Sequence, residues 1–370
     1  MNTARHTITH ASGTVEVTDG IISALVDNRT ATATADLGAA HLVAGFVDLQ
    51  VNGVDDIDFA TAPHADAIVD ALDVLTQHGT TGCCPTIVTA PLDDYDDMLD
   101  RIRAARDRAD AGRRCTVLGV HLEGPFLGAA PGAHPRDLIR PVDLDWLDHL
   151  TTRHADLVRI VTLAPEADPG FAATRLLSSR GVVVALGHST CSYEVAVEAA
   201  DAGARMTTHL FNAMRGLHHR EPGLATAALL EPRLTPSIIA DLHHVAPAAL
   251  RLACQTRADI ALVTDAVAPG AGTSGGLPIE LRDGVVWLHD GTIAGSAIHM
   301  DDAVRNTARV LGPPDGLVRA ATMASEVPCS ILGASDRGRL EVGRRADLVA
   351  LEPRTLEVVG VWMAGTRVIG

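Results

Sequence analysis

The sequence of 370 residues predicts an α/β protein, namely a (β/α)8 TIM-type barrel with a small β-sandwich domain built from both chain termini. Three observations predict this fold. Short apolar segments alternate eight times with longer amphipathic ones, the two chain ends lack a helical pattern, and 47% of the residues are hydrophobic, which is enough for a large core. A doubly wound sheet is disfavoured, because no Gly-rich nucleotide-binding turn follows the first apolar segment.

The candidate barrel strands share a short apolar run with a polar or Gly-containing end. They are residues 42–51, 80–88, 116–122, 157–163, 182–186, 205–210, 237–240 and 260–263. The amphipathic stretches between them predict helices. These include residues 65–78, 93–111, 144–154 and 193–202. A polar β-hairpin is predicted at residues 277–293, and the last helical pattern spans residues 315–332.

Both chain ends predict β-structure rather than barrel helices. Residues 14–26 have the pattern of a hairpin, and residues 339–369 alternate again between polar and apolar side chains. Because chain termini usually lie close together, we assign residues 1–43 and 338–370 to one small β-domain. Residues 44–337 then form the barrel.

Composition and charge exclude several classes of function. The chain has 46 acidic and 30 basic residues, so its net charge of −16 argues against partners such as nucleic acid or an anionic membrane. All basic residues are Arg, and the absence of Lys excludes Schiff-base enzymes, Walker-A nucleotidases, protein kinases and metal pairs bridged by a carbamylated Lys. The sequence has no signal-peptide pattern and no apolar run near the ~18 residues of a membrane span, so we expect a cytoplasmic protein.

Polar side chains recur at the carboxyl ends of the predicted strands, where barrels of this kind carry their catalytic groups. They are Gln50 and Asn52 on strand one, His121 and Glu123 on strand three, His188 on strand five, His209 and Asn212 on strand six, Asp241 and His244 on strand seven, and Asp265 on strand eight. A single His at such a place is more often structural. A series of His and carboxylates at one rim instead predicts a catalytic site.

Glu123, His188 and His209 make a set of two His and one carboxylate. Such a set is sufficient for a catalytic zinc or iron site that keeps an open position for water. Asp265 follows an apolar segment, where desolvation raises the pKa of a carboxyl, and it is the candidate general base. A helix N-cap is the alternative interpretation of Asp265.

Five motifs carry a family resemblance. They are GVHLEGPF at residues 119–126, GHS at 187–189, THLFNAM at 208–214, REPG at 220–223 and LVTDA at 262–266. Together they resemble the N-acetylglucosamine-6-phosphate deacetylase family of the amidohydrolase superfamily, and the similarity runs from residue 45 to residue 349. The chain departs from the family pattern at Leu242, where the family has Gly. His218 and His219 are also unusual and are expected in a solvated loop.

The resemblance implies roles for individual residues. Glu123, His188 and His209 would bind one divalent metal ion per chain, with zinc the first choice and iron, cobalt or manganese as alternatives. Asp265 would be the catalytic acid–base, and His134 would contact the acetamide as a second catalytic residue. The implied substrate-binding residues are Ala133, His134, Asn212, Ala213, Arg220, Asp241, His244, Ile293, Ala294 and Gly295. Members of the family are commonly homodimers in which the Arg reaches a neighbouring site.

Gln50 and Asn52 stand where binuclear amidohydrolases commonly have a His-x-His pair. Neutral amides are poor ligands for zinc or iron compared with imidazole, so we predict one metal ion rather than two. The two amides are better suited to hydrogen-bond the water, the substrate or the metal ligands. The same pair disfavours a dihydroorotase-like or dipeptidase-like enzyme.

The sequence therefore predicts metal-dependent hydrolysis of the acetamide of N-acetylglucosamine 6-phosphate, which gives glucosamine 6-phosphate and acetate. A small amino-sugar phosphate is the expected partner, together with a second copy of the chain. A deacetylase of another N-acetyl amino-sugar phosphate, such as N-acetylgalactosamine 6-phosphate, stays open. So does a non-catalytic sugar-phosphate sensor on the same scaffold.

Overall fold

The computed structural model describes residues 5–27, 33–109 and 112–370. The strands in chain order are β1 Arg5–His10, β2 Gly13–Thr18, β3 Ile21–Val26, β4 Ala35–Asp36, β5 His41–Ala44, β6 Phe46–Val51, β7 Gly53–Val54, β8 Ile57–Asp58, β9 Thr80–Val88, β10 Thr116–Val117, β11 Val120–Glu123, β12 Val158–Leu163, β13 Val183–Leu186, β14 Met206–Thr207, β15 Thr235–Ile239, β16 Ala261–Val263, β17 Thr273–Ser274, β18 Leu277–Arg282, β19 Val285–Leu288, β20 Leu348–Leu351, β21 Val358–Met363 and β22 Thr366–Ile369. The helices are α1 Ala65–Gln77, α2 Tyr95–Arg108, α3 Leu144–Arg153, α4 Ala172–Ser179, α5 Tyr193–Ala202, α6 Leu224–Leu230, α7 Pro247–Thr256, α8 Met300–Leu311, α9 Gly316–Ala324 and α10 Glu326–Leu332.

The barrel predicted from the alternating segments is confirmed. β6, β9, β11, β12, β13, β14, β15 and β16 pair in this order, each parallel to its neighbour. The ring closes between the first and last strands, where the backbone N–H of Asp265 donates to the carbonyl of Gln50 at 2.8 Å. The N–H of Asn52 also donates to the carbonyl of Ala266, at 2.7 Å. Gln50, Asn52 and Asp265, which the sequence assigns to the site, therefore also form the hydrogen bonds that close the barrel.

The helices cover the barrel with apolar faces, as α1 shows. Its buried residues include Ala65, Ile68, Leu72 and Leu75, which recur at helical spacing on one side. The helix begins after His64, whose ring Nδ1 accepts a hydrogen bond from the backbone N–H of Ala67.

None of the helices in residues 5–27, 33–109 and 112–370 is both long and apolar enough to cross a membrane.

Three predicted elements differ in detail. The first apolar segment divides at Gly45, where β5 leaves the barrel and β6 begins it. Only Gly fits at this position, because a side chain there would collide with Thr81. The third segment divides into β10 and β11. The last helical pattern is interrupted at Ser325, which separates α9 from α10. The pattern at 93–111 forms α2, and its final two residues lie outside the described residues.

Both chain ends contribute to one β-structure with two four-stranded sheets. Their orders are β3-β2-β1-β4 and β22-β21-β20-β5. Buried side chains from both sheets, among them Ile8, Val17, Leu348 and Trp362, pack into one cluster. We keep as a proposal the division into residues 1–43 plus 338–370 and residues 44–337, of which 1–4, 28–32 and 110–111 lie outside the described part.

The polar hairpin predicted after the eighth strand is formed by β18 and β19. It turns at Asp283 and Gly284, whose φ angles of +53° and +80° suit a tight two-residue hairpin turn. β17 pairs with β18 in the same small sheet. Since this sheet follows the eighth barrel strand, it lies over the rim where the strands end.

Candidate active site

Each of four consecutive barrel strands is followed closely by a residue with left-handed backbone conformation. These residues are His188 after β13, His209 after β14, Leu242 after β15 and Asp265 after β16, with φ angles of +50°, +33°, +67° and +48°. Residues with a side chain rarely adopt this conformation, and each case costs about 1–3 kcal/mol. Such strain clusters at functional sites, so its recurrence along one rim marks this end of the barrel as the site.

Glu123, His188 and His209 meet at this rim. Nε2 of His188 lies 3.1 Å from Oε1 of Glu123, and Nε2 of His209 lies 3.0 Å from the same oxygen. The two Nε2 atoms are 3.0 Å apart. All three side chains are buried. The three atoms thus form a compact triangle of potential ligands.

The donor chemistry of this triangle fits a divalent metal ion. Nδ1 of His188 lies 3.1 Å from the carbonyl oxygen of Ala130. Because a carbonyl only accepts hydrogen bonds, Nδ1 carries the proton, and Nε2 presents its lone pair to the triangle. Two imidazoles and a carboxylate are the ligands that catalytic zinc and iron sites use. Within the described residues, this is also the one cluster of His, Cys, Asp and Glu with metal-binding geometry.

Glu123 is held in its charged form. Burial alone would raise its pKa, but the adjacent imidazoles of His188 and His209 outweigh burial and hold the pKa well below its ordinary value. A carboxylate ligand must be deprotonated to bind a metal ion. The surroundings of Glu123 therefore favour the state that coordination requires.

Asp265 lies beside the triangle with a different electrostatic character. Its Oδ1 accepts hydrogen bonds from Nδ2 of Asn52 at 2.7 Å and from Nε2 of Gln50 at 3.1 Å. Burial raises the pKa of Asp265 to about 6, and the charge of Glu123 adds to this rise. A carboxyl that titrates near neutral pH can both accept and return a proton. No helix of the described chain begins at Asp265, so the N-cap interpretation is wrong.

Gln50 connects the two carboxylates. Its Nε2 donates to Oε1 of Glu123 at 3.0 Å as well as to Asp265. The opposite amide orientation would set the carbonyl oxygen against both carboxylates, so the hydrogen-bond network assigns the nitrogen to this side. Gln50 and Asn52 thus hydrogen-bond a potential metal ligand and the candidate base, the arrangement expected of groups that orient a metal site.

His134 approaches the same site from the loop after β11. Its Nδ1 lies 2.8 Å from Oγ1 of Thr89 and 3.3 Å from the backbone nitrogen of Thr89. Since that N–H only donates, Nδ1 is the acceptor and Nε2 carries the proton. Burial lowers the pKa of His134 to about 3, and the nearby His188 adds to this effect. His134 is therefore a neutral N–H donor at physiological pH.

These groups open into a cavity of about 300 Å³. Its lining contains most of the residues that the sequence and the resemblance single out, namely Asn52, Glu123, Ala133, His134, His188, His209, Asn212, Ala213, His244, Asp265, Ile293, Ala294 and Gly295. Gln50 and Asp241 do not line the cavity themselves, but each forms a hydrogen bond with residues that do. Oδ2 of Asp241 lies 2.6 Å from Nδ1 of His244, which fixes the direction of that ring.

Arg220, like Asp241, is a predicted substrate contact that does not line the cavity, and within the described residues it has no contact with a lining residue comparable to that of Asp241 with His244. It is exposed, and its guanidinium lies 2.9 Å from Nε2 of His219. His218 and His219 are exposed as well, in agreement with the predicted solvated loop. Nδ1 of His218 accepts a hydrogen bond from the backbone of Glu221 at 3.1 Å, which stabilises the loop locally.

Sequence reasoning missed several residues of the lining. They are Val88, Gly132, Ile239, Val267, Ser274 and Thr292. An apolar residue at a strand end looks like any other core residue, so Ile239 carried no signal. Ser274 precedes the predicted hairpin and Thr292 lies near its end, and polar residues next to a turn above the rim were the only signal available for them.

Comparison with known proteins agrees with this geometry. The profile of the amidohydrolase family matches residues 41–368. The chain is 36% identical over 363 residues to N-acetylgalactosamine-6-phosphate deacetylase of Escherichia coli O157:H7, covering 95% of this chain and 93% of that protein. It is also 36% identical over 362 residues to N-acetylglucosamine-6-phosphate deacetylase of Homo sapiens, covering 92% of this chain and 87% of that protein.

A solved structure gives the same result for the fold. It shows a variant of N-acetyl-D-glucosamine-6-phosphate deacetylase from Mycobacterium smegmatis in complex with N-acetyl-D-glucosamine-6-phosphate. This chain aligns to it with a TM-score of 0.91 at 34% identity, covering 99% of this chain and 100% of that one. The chain belongs to the N-acetylglucosamine-6-phosphate deacetylase family of the amidohydrolases.

Proposed function

We propose that this protein hydrolyses the acetamide of N-acetylglucosamine 6-phosphate to glucosamine 6-phosphate and acetate. One observation carries the proposal: the buried triangle of Glu123, His188 and His209 shares a cavity of about 300 Å³ with Asp265, a carboxyl whose pKa burial raises to about 6. Metal ligands beside a proton acceptor are the groups that amide hydrolysis requires. The relatives named for this reaction support the substrate.

Glu123, His188 and His209 would hold one divalent metal ion. Zinc is the first choice for two imidazoles and a carboxylate, with iron, cobalt or manganese as alternatives. When bound, such an ion is a Lewis acid that lowers the pKa of water and polarises a carbonyl oxygen. Gln50 and Asn52 would not be ligands, because an amide binds a metal ion through its oxygen, and both side chains instead turn their nitrogens toward Glu123 and Asp265.

Asp265 moves the proton in the proposed reaction. It takes a proton from the attacking water as the water oxygen bonds to the acetamide carbon. It then gives that proton to the sugar nitrogen as the carbon–nitrogen bond breaks, so that acetate and the free amine leave. His134 donates its Nε2–H to the carbonyl oxygen as negative charge grows there, a contribution of roughly 3 kcal/mol for a well-placed donor.

The rest of the cavity would bind the sugar. We assign Asn212, Ala213 and the segment 293–295 to hydrogen bonds and packing against the ring, and Ala133 to the acetamide side. His244 is oriented by Asp241 and would face the phosphate end. Among the described residues that line the cavity there is no Arg, so we propose that Arg220 reaches the phosphate of a neighbouring copy in a homodimer.

An assay of acetate release tests the proposal. Purified protein with zinc is incubated with N-acetylglucosamine, N-acetylgalactosamine and the 6-phosphate of each. We expect the highest kcat/KM on N-acetylglucosamine 6-phosphate. A preference for N-acetylgalactosamine 6-phosphate would support the second candidate, which the similarity to the Escherichia coli O157:H7 enzyme favours. Binding of these sugars without release of acetate would indicate a sensor and contradict the proposal.

We also propose that the protein acts in the cytoplasm. Its six cysteines are free and buried, as is usual for small apolar residues in a reducing compartment. Secretion of the native protein in a cell fractionation experiment would contradict this assignment.

A further inference from the structure

Glu166 lies outside the cavity and has no part in the proposed chemistry, yet its carboxylate binds both residues that follow His188. It stands in the short turn after β12, where its side chain is largely exposed. Oε2 accepts a hydrogen bond from the hydroxyl of Ser189 at 2.5 Å, and Oε1 accepts one from the backbone N–H of Thr190 at 2.7 Å. One carboxylate thus holds the turn that leads away from His188.

Glu166 also lies against the loop after β11. A side chain on Gly128 would collide with Oε1 of Glu166, so the two residues are in close contact. The backbone N–H of Gly128 donates to the carbonyl of His188 at 2.9 Å. Two residues further on, the carbonyl of Ala130 binds Nδ1 of His188. Glu166 therefore supports both the backbone of His188 and the loop that orients its ring.

His188 needs such support because its own backbone is strained. Its φ angle of +50° is unfavourable for a residue with a side chain, and such conformations persist only where the surroundings impose them. We infer that Glu166 is a positioning residue, which holds His188 in the conformation that directs Nε2 toward Glu123 and His209. This inference rests on the proposed metal site, since it assigns Glu166 a role in the affinity of that site for metal.

Metal affinity, measured without catalysis, tests the inference. Protein stripped with a chelator is titrated with zinc in competition with a chromophoric chelator. Loss of a group that orients a metal ligand typically weakens binding by about 10- to 100-fold, and we expect Glu166→Ala to fall in this range. Glu166→Gln keeps one acceptor oxygen and should show an intermediate loss. Glu198→Ala removes an exposed carboxylate from α5 and is the matched control, expected to bind like wild type.

Gly128→Ala provides a second variant, because its new methyl group would displace the Glu166 carboxylate and would also lie 3.0 Å from the carbonyl oxygen of His188. We expect it to weaken zinc binding in the wild-type background and to weaken it less in the Glu166→Ala background, since the two changes share the contact with Glu166. Zinc affinities of the Glu166 variants within about threefold of wild type would overturn the inference. Wild-type protein that binds no zinc would instead contradict the metal site itself. Unfolding temperatures measured in chelator identify any variant whose loss is one of general stability.

Discussion

Asn52 donates a hydrogen bond of 2.7 Å from Nδ2 to Oδ1 of Asp265. Gln50 donates to the same oxygen. Because both amides bind Oδ1, the proposed proton transfer would fall to Oδ2, and the plane of the carboxylate is fixed by neighbours on the first strand. Asn52 and Asp265 meet because their strands, β6 and β16, are adjacent where the barrel closes.

Asp265→Asn should keep the fold and the bound metal but abolish turnover. Asn has nearly the same shape and its oxygen still accepts the bonds from Gln50 and Asn52, but it cannot take a proton. Removal of a general acid–base typically costs about 100- to 10,000-fold in kcat, and we expect at least that. Acetate release and metal content, measured on the same preparation, check this result. Near-normal kcat would remove Asp265 from the mechanism.

His134→Ala should lower kcat more than it raises KM. The Nε2–H of His134 is expected to strengthen its bond as negative charge grows on the carbonyl oxygen, so its loss should cost about 100- to 1,000-fold in kcat. With a pKa of about 3, His134 stays neutral across the assay range, so the acidic limb of the pH profile should not move. Steady-state kinetics between pH 5 and pH 9 provide the measurement. An effect on KM alone would make His134 a binding residue.

Arg220→Ala should weaken the binding of 6-phosphorylated sugars and leave the unphosphorylated sugars nearly unaffected. A guanidinium binds phosphate oxygens in pairs, and the chain has no Lys to replace it. Because Arg220 is exposed and lies outside the cavity of its own chain, the effect should require the assembled dimer. Kinetics with both sugars over a range of enzyme concentrations test both points. Equal losses on the two substrates would show that the phosphate is recognised elsewhere.

One metal ion per chain should co-purify with the protein. A second ion would need further ligands near the first, but Gln50 and Asn52 turn their amide nitrogens toward Glu123 and Asp265, and an amide nitrogen does not bind a metal ion. Elemental analysis of protein purified without chelator, together with anomalous scattering, can count the ions. Two ions at full occupancy within about 4 Å of each other would contradict the single-metal site.

Asp48 should make stability fall as pH rises. It is fully buried, and it accepts hydrogen bonds from the hydroxyl and the N–H of Thr264 and from the N–H of Gln50. Burial raises its pKa from 3.8 to about 7, so the folded state favours the protonated carboxyl. Its ionisation therefore destabilises the fold as pH rises from about 4 to 7, by roughly 3 kcal/mol or more.

Asp48→Asn removes this titration and supplies the comparison. Chemical denaturation in chelator at pH 5 and pH 8 should show a larger loss of stability in wild type than in the variant. The same difference between the two pH values in both proteins would show that Asp48 does not titrate in this range.

The sequence points to the proposed metal ligands because they break a pattern. Glu123, His188 and His209 are charged or polar residues at the ends of buried strands, and parallel strands bring such ends to one rim. Ile239 carries no such signal, because an apolar side chain that lines a cavity has the same pattern as one in the core. The position of Arg220 also depends on the path of a long loop, which no periodicity describes.

The break in the first strand shows another limit of sequence reasoning. Gly45 lies between β5 and β6, and Thr81 of the neighbouring strand leaves no room there for a side chain. This requirement for Gly joins residues far apart in the chain. Spacing along the sequence therefore predicts one continuous strand where the structure has two.

The four left-handed residues at the rim should also affect the local stability of the protein when no metal is bound. Together these conformations destabilise the folded state by several kcal/mol, and nothing offsets this cost until a ligand binds at the rim. A ligand that binds only the folded state offsets such a cost by mass action. In metal-poor cells this rim should therefore be the first part of the barrel to open, with fast amide exchange and early proteolytic cleavage in the loops after β13 to β16, while the opposite end of the barrel stays closed.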